Sequence, residues 1–296
     1  MLELLLGAGC AALAFRRLKG DDPRLEALHE AHRLTALQAR MREAPLARAF
    51  GALRDAGIEP ILGKGWAAAR LYPATGLRPM GDIDLYVPEA DAPRALEALR
   101  ASGDSPVDLH AGFAELDDRS AAELHARSVR LSVGGGTVRV FSPEDHLRLL
   151  CLHLLRHGAI RPLWLVDVAL AVETRPAAFD WGRFLAGDPW RTEAARHALA
   201  LAGSLLGARL DGVPLSGDPP RWLASAVRRE WGRGRPPHGA RTPIAVERPA
   251  RWPRALAVRW PNAVEATYAI RAPWRRVPRL PIQLAAAARR AAAVVQ

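Results

Sequence analysis

The segment from Gly63 to Val87 constrains this chain more than any other stretch. It reads GKGWAAARLYPATGLRPMGDIDLYV, so that a Gly-Lys-Gly turn, a helix-forming run and a Pro/Gly loop precede an acidic strand. Asp82 and Asp84 are two residues apart at the start of that strand, and side chains at this spacing project from the same face. Adjacent carboxylates repel each other unless a cation compensates them. The segment therefore predicts a cation site at the beginning of a strand.

Magnesium suits this pattern, because proteins hold it with one or two carboxylates together with phosphate oxygens and water. Asp108, in a later strand-like segment, is the best-placed third carboxylate for a two-metal site. One ion would carry a nucleoside triphosphate, and the other would activate an acceptor hydroxyl for in-line attack at the α-phosphorus. We predict Asp82, Asp84 and Asp108 as catalytic metal ligands for Mg²⁺, with Mn²⁺ as an alternative ion. The simpler interpretation is a strand that begins after a glycine turn, with Asp84 facing solvent.

The turn ahead of the acidic strand has residues suited to phosphate binding. Its glycines let the backbone approach phosphate, and the amides of the following helix would face anionic oxygens. A lysine in the turn adds a point charge, and an arginine ahead of the aspartates either clamps a phosphate or pairs with an acidic neighbour. The residues predicted to bind nucleotide are Gly63, Lys64, Gly65, Arg78 and Gly81. The spacing is not that of a Walker P-loop.

The order of helix-like and strand-like segments predicts an α+β fold. Helices and strands alternate up to about residue 110, a hairpin follows around Gly134–Gly136, and the sequence from Ser142 onward is mainly helical. We predict a small mixed sheet with flanking helices, followed by a mainly helical C-terminal domain. The predicted boundaries are 1–45 for N-terminal helices, 46–141 for the sheet core, 142–212 for the helical domain and 213–296 for an Arg/Pro-rich basic tail with short helices.

Positive charge is concentrated near the C-terminus. From Arg221 onward there are sixteen arginines and three glutamates, a balance of +13, so the preceding residues carry −2 of the net +11. Five tryptophans, Trp222, Trp231, Trp252, Trp260 and Trp274, are interleaved with these arginines. Single-stranded nucleic-acid binders show this pattern, and so does a basic helical cap whose tryptophans pack into a core.

Cysteine content and the N-terminal apolar run indicate the compartment. Cys10 and Cys151 are too few and too far apart for a disulfide framework, which fits a reducing environment. The apolar run at 2–15 is too short to span a bilayer, and its basic residues follow it rather than precede it. We therefore expect a first core helix, no membrane span and a cytoplasmic location.

Three further residues are candidates for site or core roles. His153 and His157 share one helical face at a metal-compatible spacing, but a His-Glu-x-x-His order is absent, which excludes a zinc protease of that type. Asp167 lies in an apolar helix, where a buried acid needs a partner. It either pairs with an arginine or faces the acceptor pocket.

The segment 62–87, with its Lys-Gly, Leu-Tyr-Pro and Gly-Leu-Arg-Pro-Met-Gly-Asp-Ile-Asp-Leu pattern, resembles the uncharacterised nucleotidyltransferase family of the polymerase-β-like superfamily. The resemblance continues through Asp108-Leu109-His110, Ser142–His146 and Trp164–Ala169. It implies a nucleotidyltransferase-type sheet as the core at 46–141 and a helical domain that helps to hold the acceptor. It also implies Asp82, Asp84 and Asp108 as metal ligands.

These features together predict a metal-dependent nucleotidyltransferase. It would move a nucleoside monophosphate from an NTP to the hydroxyl of a small molecule, a protein or a nucleic acid, and release pyrophosphate. One alternative is a non-catalytic nucleic-acid-binding protein that acts through its basic C-terminal region. The other is a glycosyltransferase that uses Asp-x-Asp to bind a nucleotide-sugar.

Overall fold

The computed structural model describes residues 2–18, 24–103, 107–133, 136–232, 260–275 and 277–295. Four helices precede the sheet: α1 Leu2–Gly7, α2 Ala11–Arg17, α3 Arg24–Met41 and α4 Glu43–Asp55. The apolar N-terminal run thus forms two short helices rather than one, because the chain turns at Gly9, whose φ of 73° is in the left-handed region that glycine adopts easily. Pro45 lies in the first turn of α4, as the sequence predicts.

A mixed five-stranded sheet follows. Its strands are β1 Ile61–Leu62, β2 Ile83–Val87, β3 Val107–Ala111, β4 Val129–Val133 and β5 Gly136–Val140, arranged in the order β3-β2-β1-β5-β4. Strands β2 and β3 are parallel, as are β1 and β5, whereas β1–β2 and β4–β5 are antiparallel. The predicted hairpin is therefore confirmed, although Gly134 and Gly135 of its turn lie outside the described residues.

The parallel pairing of β2 with β3 places the acidic residues next to each other. A 3₁₀ turn at Glu89–Asp91 and helix α6, Ala92–Ala101, carry the chain back so that both strands run in the same direction. In the resulting register Asp84 is opposite Asp108, and Tyr86 is opposite His110. These four side chains share one face of the sheet, since they alternate with the residues that face the other side.

The opposite face of β2 supplies the core of the sheet layer. Ile83, Leu85 and Val87 are buried there against Leu46, Phe50 and Leu53 of α4. Leu99 of α6 packs into the same cluster. Burial of this apolar face fixes the strand, because a one-residue slip would turn every carboxylate into the core.

The remaining helices form the second layer of the fold. They are α5 Lys64–Ala69, α7 Ala121–Arg127, α8 Pro143–Arg156, α9 Pro162–Glu173, α10 Trp181–Leu185, α11 Pro189–Leu206, α12 Arg221–Gly232, α13 Ala263–Ala269 and α14 Leu280–Val295. The hydroxyl oxygen of Ser142 accepts a hydrogen bond from the Asp145 amide, and Pro143 occupies the first turn of α8. The predicted helix start at Ser142 is confirmed. The α+β fold class is confirmed as well.

Three tryptophans of the basic C-terminal region, Trp222, Trp231 and Trp274, take part in the helical core. Trp274 is fully buried, and the Trp222 indole donates a hydrogen bond to its carbonyl oxygen. The Trp231 indole donates to the Ala159 carbonyl oxygen at the end of α8. Packing of this kind favours the helical-cap interpretation for these residues; Trp252 lies outside the described residues. Within the part of the chain that the structure describes, no helix combines the length and apolar character that crossing a membrane requires.

Candidate active site

Strands β2 and β3 border a cavity of about 910 Å³, with α8 and α9 contributing to its wall. Among the residues predicted for the site, those that line the cavity are Lys64, Gly65, Arg78, Gly81, Asp82, Asp84 and Asp108. The predicted site residues, which are spread over 46 positions of the sequence, therefore converge on one space. Gly63 lies behind this lining, because a Cβ atom there would meet the Tyr86 ring at 2.8 Å.

Asp84 is at the centre of a polar cluster. The Lys64 ammonium lies 3.0 Å from Asp84 Oδ1, and His110 Nε2 lies 3.1 Å from the same oxygen. His110 Nε2 is also 3.3 Å from Asp108 Oδ2, so that the imidazole bridges the two carboxylates. Burial alone would raise the pKa of Asp84, but the hydrogen bond with His110 and the charge of Lys64 outweigh it and lower that pKa. Asp84 is therefore a stable carboxylate at neutral pH.

The Gly-Lys-Gly turn presses closely against this cluster. A Cβ atom on Gly65 would lie 3.1 Å from both Asp84 Oδ2 and the Asp82 carbonyl oxygen, so only glycine fits without a shift. Lys64 has a φ of 38°, in a region that residues with a side chain rarely adopt. Its side chain is buried and passes over the Tyr86 ring at 5.4 Å. The strained backbone thus directs the ammonium towards Asp84.

Asp82 has a different environment from Asp84. It lies just before β2, is exposed, and lines the mouth of the cavity. The donor atoms of Asp84, Asp108 and His110 lie within 4.8 Å of one another, and Asp82 does not belong to this group. The structure thus brings two of the three predicted carboxylates together and adds His110 to them. The role of Asp82 as a ligand stays a prediction.

Arg78 makes a buried ion pair instead of facing the cavity with a free guanidinium. Its Nε and Nη2 donate to the two carboxylate oxygens of Asp167, each at 2.8 Å, and the Tyr72 hydroxyl donates to Oδ1 at 2.8 Å. Burial opposes the charge of Arg78, but Asp167 outweighs it and raises the arginine pKa. Pairing with an arginine is thus confirmed for Asp167. This pair joins the loop before β2 to α9.

A second polar cluster lines the same cavity and consists of Glu115, His153 and His157. Burial lowers the pKa of His153. Burial would raise the pKa of Glu115, but His153 and Arg156 outweigh it and lower that pKa. A neutral His153 imidazole therefore lies beside an ionised Glu115 carboxylate, with the His157 ring next to them.

Glu115 is positioned by buried ion pairs in the residues that follow it. Arg148 of α8 is fully buried and donates to Asp118 Oδ2 at 2.5 Å, and the Asp188 amide donates to the same oxygen at 2.9 Å. Arg119 pairs with Asp145 of α8 at 3.1 Å. These contacts fix the loop after β3 to the helical layer, which places Glu115 beside the histidines.

The donor set at Asp84 and Asp108 fits a divalent cation. Carboxylate oxygens are the preferred ligands of Mg²⁺, and the two aspartates are adjacent on a rigid sheet. The Lys64 ammonium lies 3.0 Å from Asp84 Oδ1, so that the site already attracts positive charge.

The sequence matches the model of the uncharacterised nucleotidyltransferase family over residues 4–207. The chain belongs to this family. The matched region contains the Gly-Lys-Gly turn, both clusters and the Arg78–Asp167 pair. The resemblance found in the segment 62–87 is thereby confirmed.

Comparison with solved structures gives a nucleotidyltransferase-like antigenic protein from Paracoccidioides brasiliensis. The two chains are 16% identical, with a TM-score of 0.39, and the similarity covers 62% of this chain and 90% of the other. No curated protein matches the sequence.

Sequence reasoning missed Glu115 and the contact between Lys64 and Asp84. Glu115 lies in a loop without periodicity, and no neighbouring residue marks it as a ligand. Its proximity to His153 depends on two contacts of Asp118, an ion pair with Arg148 and a hydrogen bond from the Asp188 amide, whose residues are 30 and 70 positions away. The helical spacing of His153 and His157 was the only signal of the second cluster.

Proposed function

We propose that this protein is a metal-dependent nucleotidyltransferase that transfers a nucleoside monophosphate from an NTP to an acceptor hydroxyl and releases pyrophosphate. One observation carries the proposal: Asp84 and Asp108 are in register on adjacent parallel strands, with Lys64 against Asp84, at the wall of a cavity of about 910 Å³. A cavity of this size accommodates a nucleotide together with part of an acceptor.

Asp84 and Asp108 are the residues that would hold Mg²⁺, or Mn²⁺ in its place. When bound, the ion would neutralise charge on the triphosphate and favour ionisation of the acceptor hydroxyl. Asp82, at the mouth of the cavity, is a proposed additional ligand. The acceptor remains one of three classes: a small molecule, a protein side chain or a nucleic-acid end.

Lys64 would exchange partners when substrate binds. With Asp84 bound to a cation, the ammonium is released to contact the triphosphate, and the long flexible side chain lets it do so without movement of the backbone. Gly65 keeps the turn close enough for phosphate oxygens to approach the main chain. Gly63 supports the turn from behind, and Arg78 holds the preceding loop in place through Asp167.

Labelled substrates provide the direct test. The protein is incubated with each NTP labelled at the α-phosphate, with Mg²⁺ and a cell lysate, and the macromolecules and metabolites that acquire label are identified. We expect incorporation that Asp84→Asn and Asp108→Asn abolish. Asp91→Asn is the control, since Asp91 pairs with Arg94 on the surface and does not line the cavity. Equal labelling by all variants, or none by the wild type, would contradict the proposal.

The two alternatives predict other results in the same assay. A glycosyltransferase would bind a nucleotide-sugar with Mg²⁺ or Mn²⁺ more tightly than a plain NTP. A protein that only binds nucleic acid would retain that binding in Asp84→Asn and would transfer no label. The register of Asp84 with Asp108 and the contact of Lys64 with Asp84 support the first proposal over a protein that only binds nucleic acid.

A further inference from the structure

The cluster of Glu115, His153 and His157 has no role in the proposed transfer reaction. Its side chains come from two regions: His153 is in the last turn of α8 and His157 is the residue that follows this helix, whereas the glutamate lies in the loop after β3. One donor atom from each lies within 4.8 Å of the other two. Side chains at i and i+4 on a helix share a face, so both imidazoles reach the same space.

The chemistry of this cluster differs from that of the Asp84–Asp108 site. Two imidazole nitrogens and one carboxylate are a donor set of zinc sites that retain an open coordination position, whereas Mg²⁺ prefers oxygen ligands alone. The two clusters are therefore suited to different ions.

One polar atom of the cluster, His153 Nδ1, is buried and would be expected to form a hydrogen bond. Among the residues that the structure describes, none forms a hydrogen bond with His153 Nδ1; its distance of 3.6 Å from Glu115 Oε1 exceeds hydrogen-bonding range. A buried polar atom left unpaired costs free energy, so it is usually explained by a strained or functional site or by an absent ion or water. A cation between His153 and Glu115 would satisfy both groups.

Trp164 packs against the two histidines of the cluster, and Arg156 forms an ion pair with its glutamate. The Trp164 ring packs edge-on against His153 at 4.9 Å and lies 5.6 Å from His157. Arg156 donates to Glu115 Oε1 at 3.1 Å, but its side chain is half-exposed and is free to rotate into solvent. Arg156 thus compensates Glu115 when no metal ion is bound.

We propose that Glu115, His153 and His157 form a zinc-binding site, distinct from the magnesium site at Asp84 and Asp108. Both sites line the same cavity, so an acceptor that enters it has access to the remaining coordination position of the zinc ion. Metal binding is measured without nucleotide, and the inference is therefore tested independently of the proposed transfer reaction.

Cobalt is the probe, because Co²⁺ replaces Zn²⁺ in such sites and absorbs visible light when bound by nitrogen ligands. Metal-free full-length protein is titrated with Co²⁺, and the bound ion is then displaced with Zn²⁺. We expect a visible absorption band that saturates at one equivalent and disappears when Zn²⁺ is added. Zinc should also raise the thermal unfolding temperature of the wild type.

His157→Gln is the main variant, because His157 is exposed and its replacement leaves the core intact. It should weaken Co²⁺ and Zn²⁺ binding by at least about tenfold and abolish the thermal shift. Glu115→Gln and His153→Gln should do the same. Each variant is first compared with the wild type in EDTA, so that loss of folding is distinguished from loss of binding.

His197→Gln is the matched control. His197 lies 3.6 Å from Glu193 on α11, the same separation as in the His153–Glu115 pair, but the metal-capable groups of the described residues do not include it. Metal binding should be unchanged in this variant and in Asp84→Asn. No saturable Co²⁺ band in the wild type would overturn the proposal. Equal loss in His197→Gln, or loss in Asp84→Asn with retention in His157→Gln, would overturn it as well.

Discussion

Two aspartates in the cavity wall have cationic partners, and their environments differ sharply. The Arg78 and Asp167 side chains are 7% and 1% exposed, and two parallel hydrogen bonds join them. The Lys64 and Asp84 side chains are 10% and 16% exposed, with a single oxygen shared between Lys64 and His110. A guanidinium fork fixes geometry, whereas an ammonium is a point charge that exchanges partners easily. The first pair therefore stabilises the fold, and the second suits a binding site.

The largest expected effect is loss of stability when the Arg78–Asp167 pair is broken. Arg78→Met leaves a buried carboxylate without its main partner, which typically costs about 3–5 kcal/mol of unfolding free energy. Denaturant unfolding measures the change. The double variant Arg78→Met/Asp167→Leu should recover part of the loss, because it removes both charges. A loss below about 1 kcal/mol in Arg78→Met would contradict the structural role of this pair.

Asp84→Asn should have the next largest effect, and on activity rather than stability. Removal of one preorganised electrostatic contact usually lowers the rate by a factor of about 10²–10³. We expect label transfer to fall by at least about a hundredfold, while the unfolding midpoint changes little. Steady-state rates with excess Mg²⁺ provide the measurement. If Asp84→Asn instead lost much stability while its folded fraction kept its specific activity, the Lys64–Asp84 pair would be structural rather than catalytic.

Substitutions at Lys64 separate its charge from its backbone conformation. Both Lys64→Ala and Lys64→Gly remove the ammonium, and each should weaken NTP affinity by about tenfold. Only glycine relieves the positive φ, so Lys64→Gly should be more stable than Lys64→Ala by about 1 kcal/mol. Nucleotide titration and thermal unfolding of the two variants test both parts. Equal stability would show that the left-handed conformation carries no strain.

The smallest effect is expected at a solvent-facing pair of the same geometry as Arg78–Asp167. Arg54 donates to both oxygens of Glu59 at 2.8 Å, but about a third of each side chain is exposed. Arg54→Met should therefore cost less than about 1 kcal/mol. A cost as large as that of Arg78→Met would show that burial does not decide the strength of these pairs.

The Arg54–Glu59 pair also gives a pH dependence. The hydrogen bond from Arg54 is the main reason that the pKa of Glu59 is below its ordinary value of 4.5. The pair thus stabilises the folded state above that value, and the contribution is lost as the pH falls through the lowered pKa. The difference in unfolding free energy between wild type and Arg54→Met should shrink in this direction. A difference that grows on acidification would have the wrong sign.

The elements around the site follow largely from local sequence signals. The alternation in Ile83–Val87 and the Ser-Pro-Glu-Asp start of α8 predicted a strand and a helix that the structure contains. A signal of the same kind marks the start of α7, where Ser120 and Glu123 form a capping box. The apolar segment 58–62 also favours a strand, but the strand in the structure is confined to Ile61–Leu62.

The pairing of charges could not be predicted in the same way. Arg78 and Asp167 are 89 positions apart. The neighbouring sequence does not distinguish an arginine that binds phosphate from one that forms a buried bidentate ion pair. The position of Asp84 opposite Asp108 depends on the register of β2 with β3, which burial of the apolar face sets. Tertiary packing thus decides which of the predicted ligands meet.

The burial of Trp274 has a consequence for how the molecule is divided. The family match ends at residue 207, yet this indole fills space among α11, α12 and α13, and Trp190 donates to the carbonyl oxygen of Ala272 nearby. A chain that ends at residue 207 would lose this buried side chain. A cavity and an exposed apolar surface would remain on the helical layer. The region that the family model matches is therefore smaller than the region that packs into one core and should unfold cooperatively. Recombinant versions of the protein should include the residues up to the C-terminal helices.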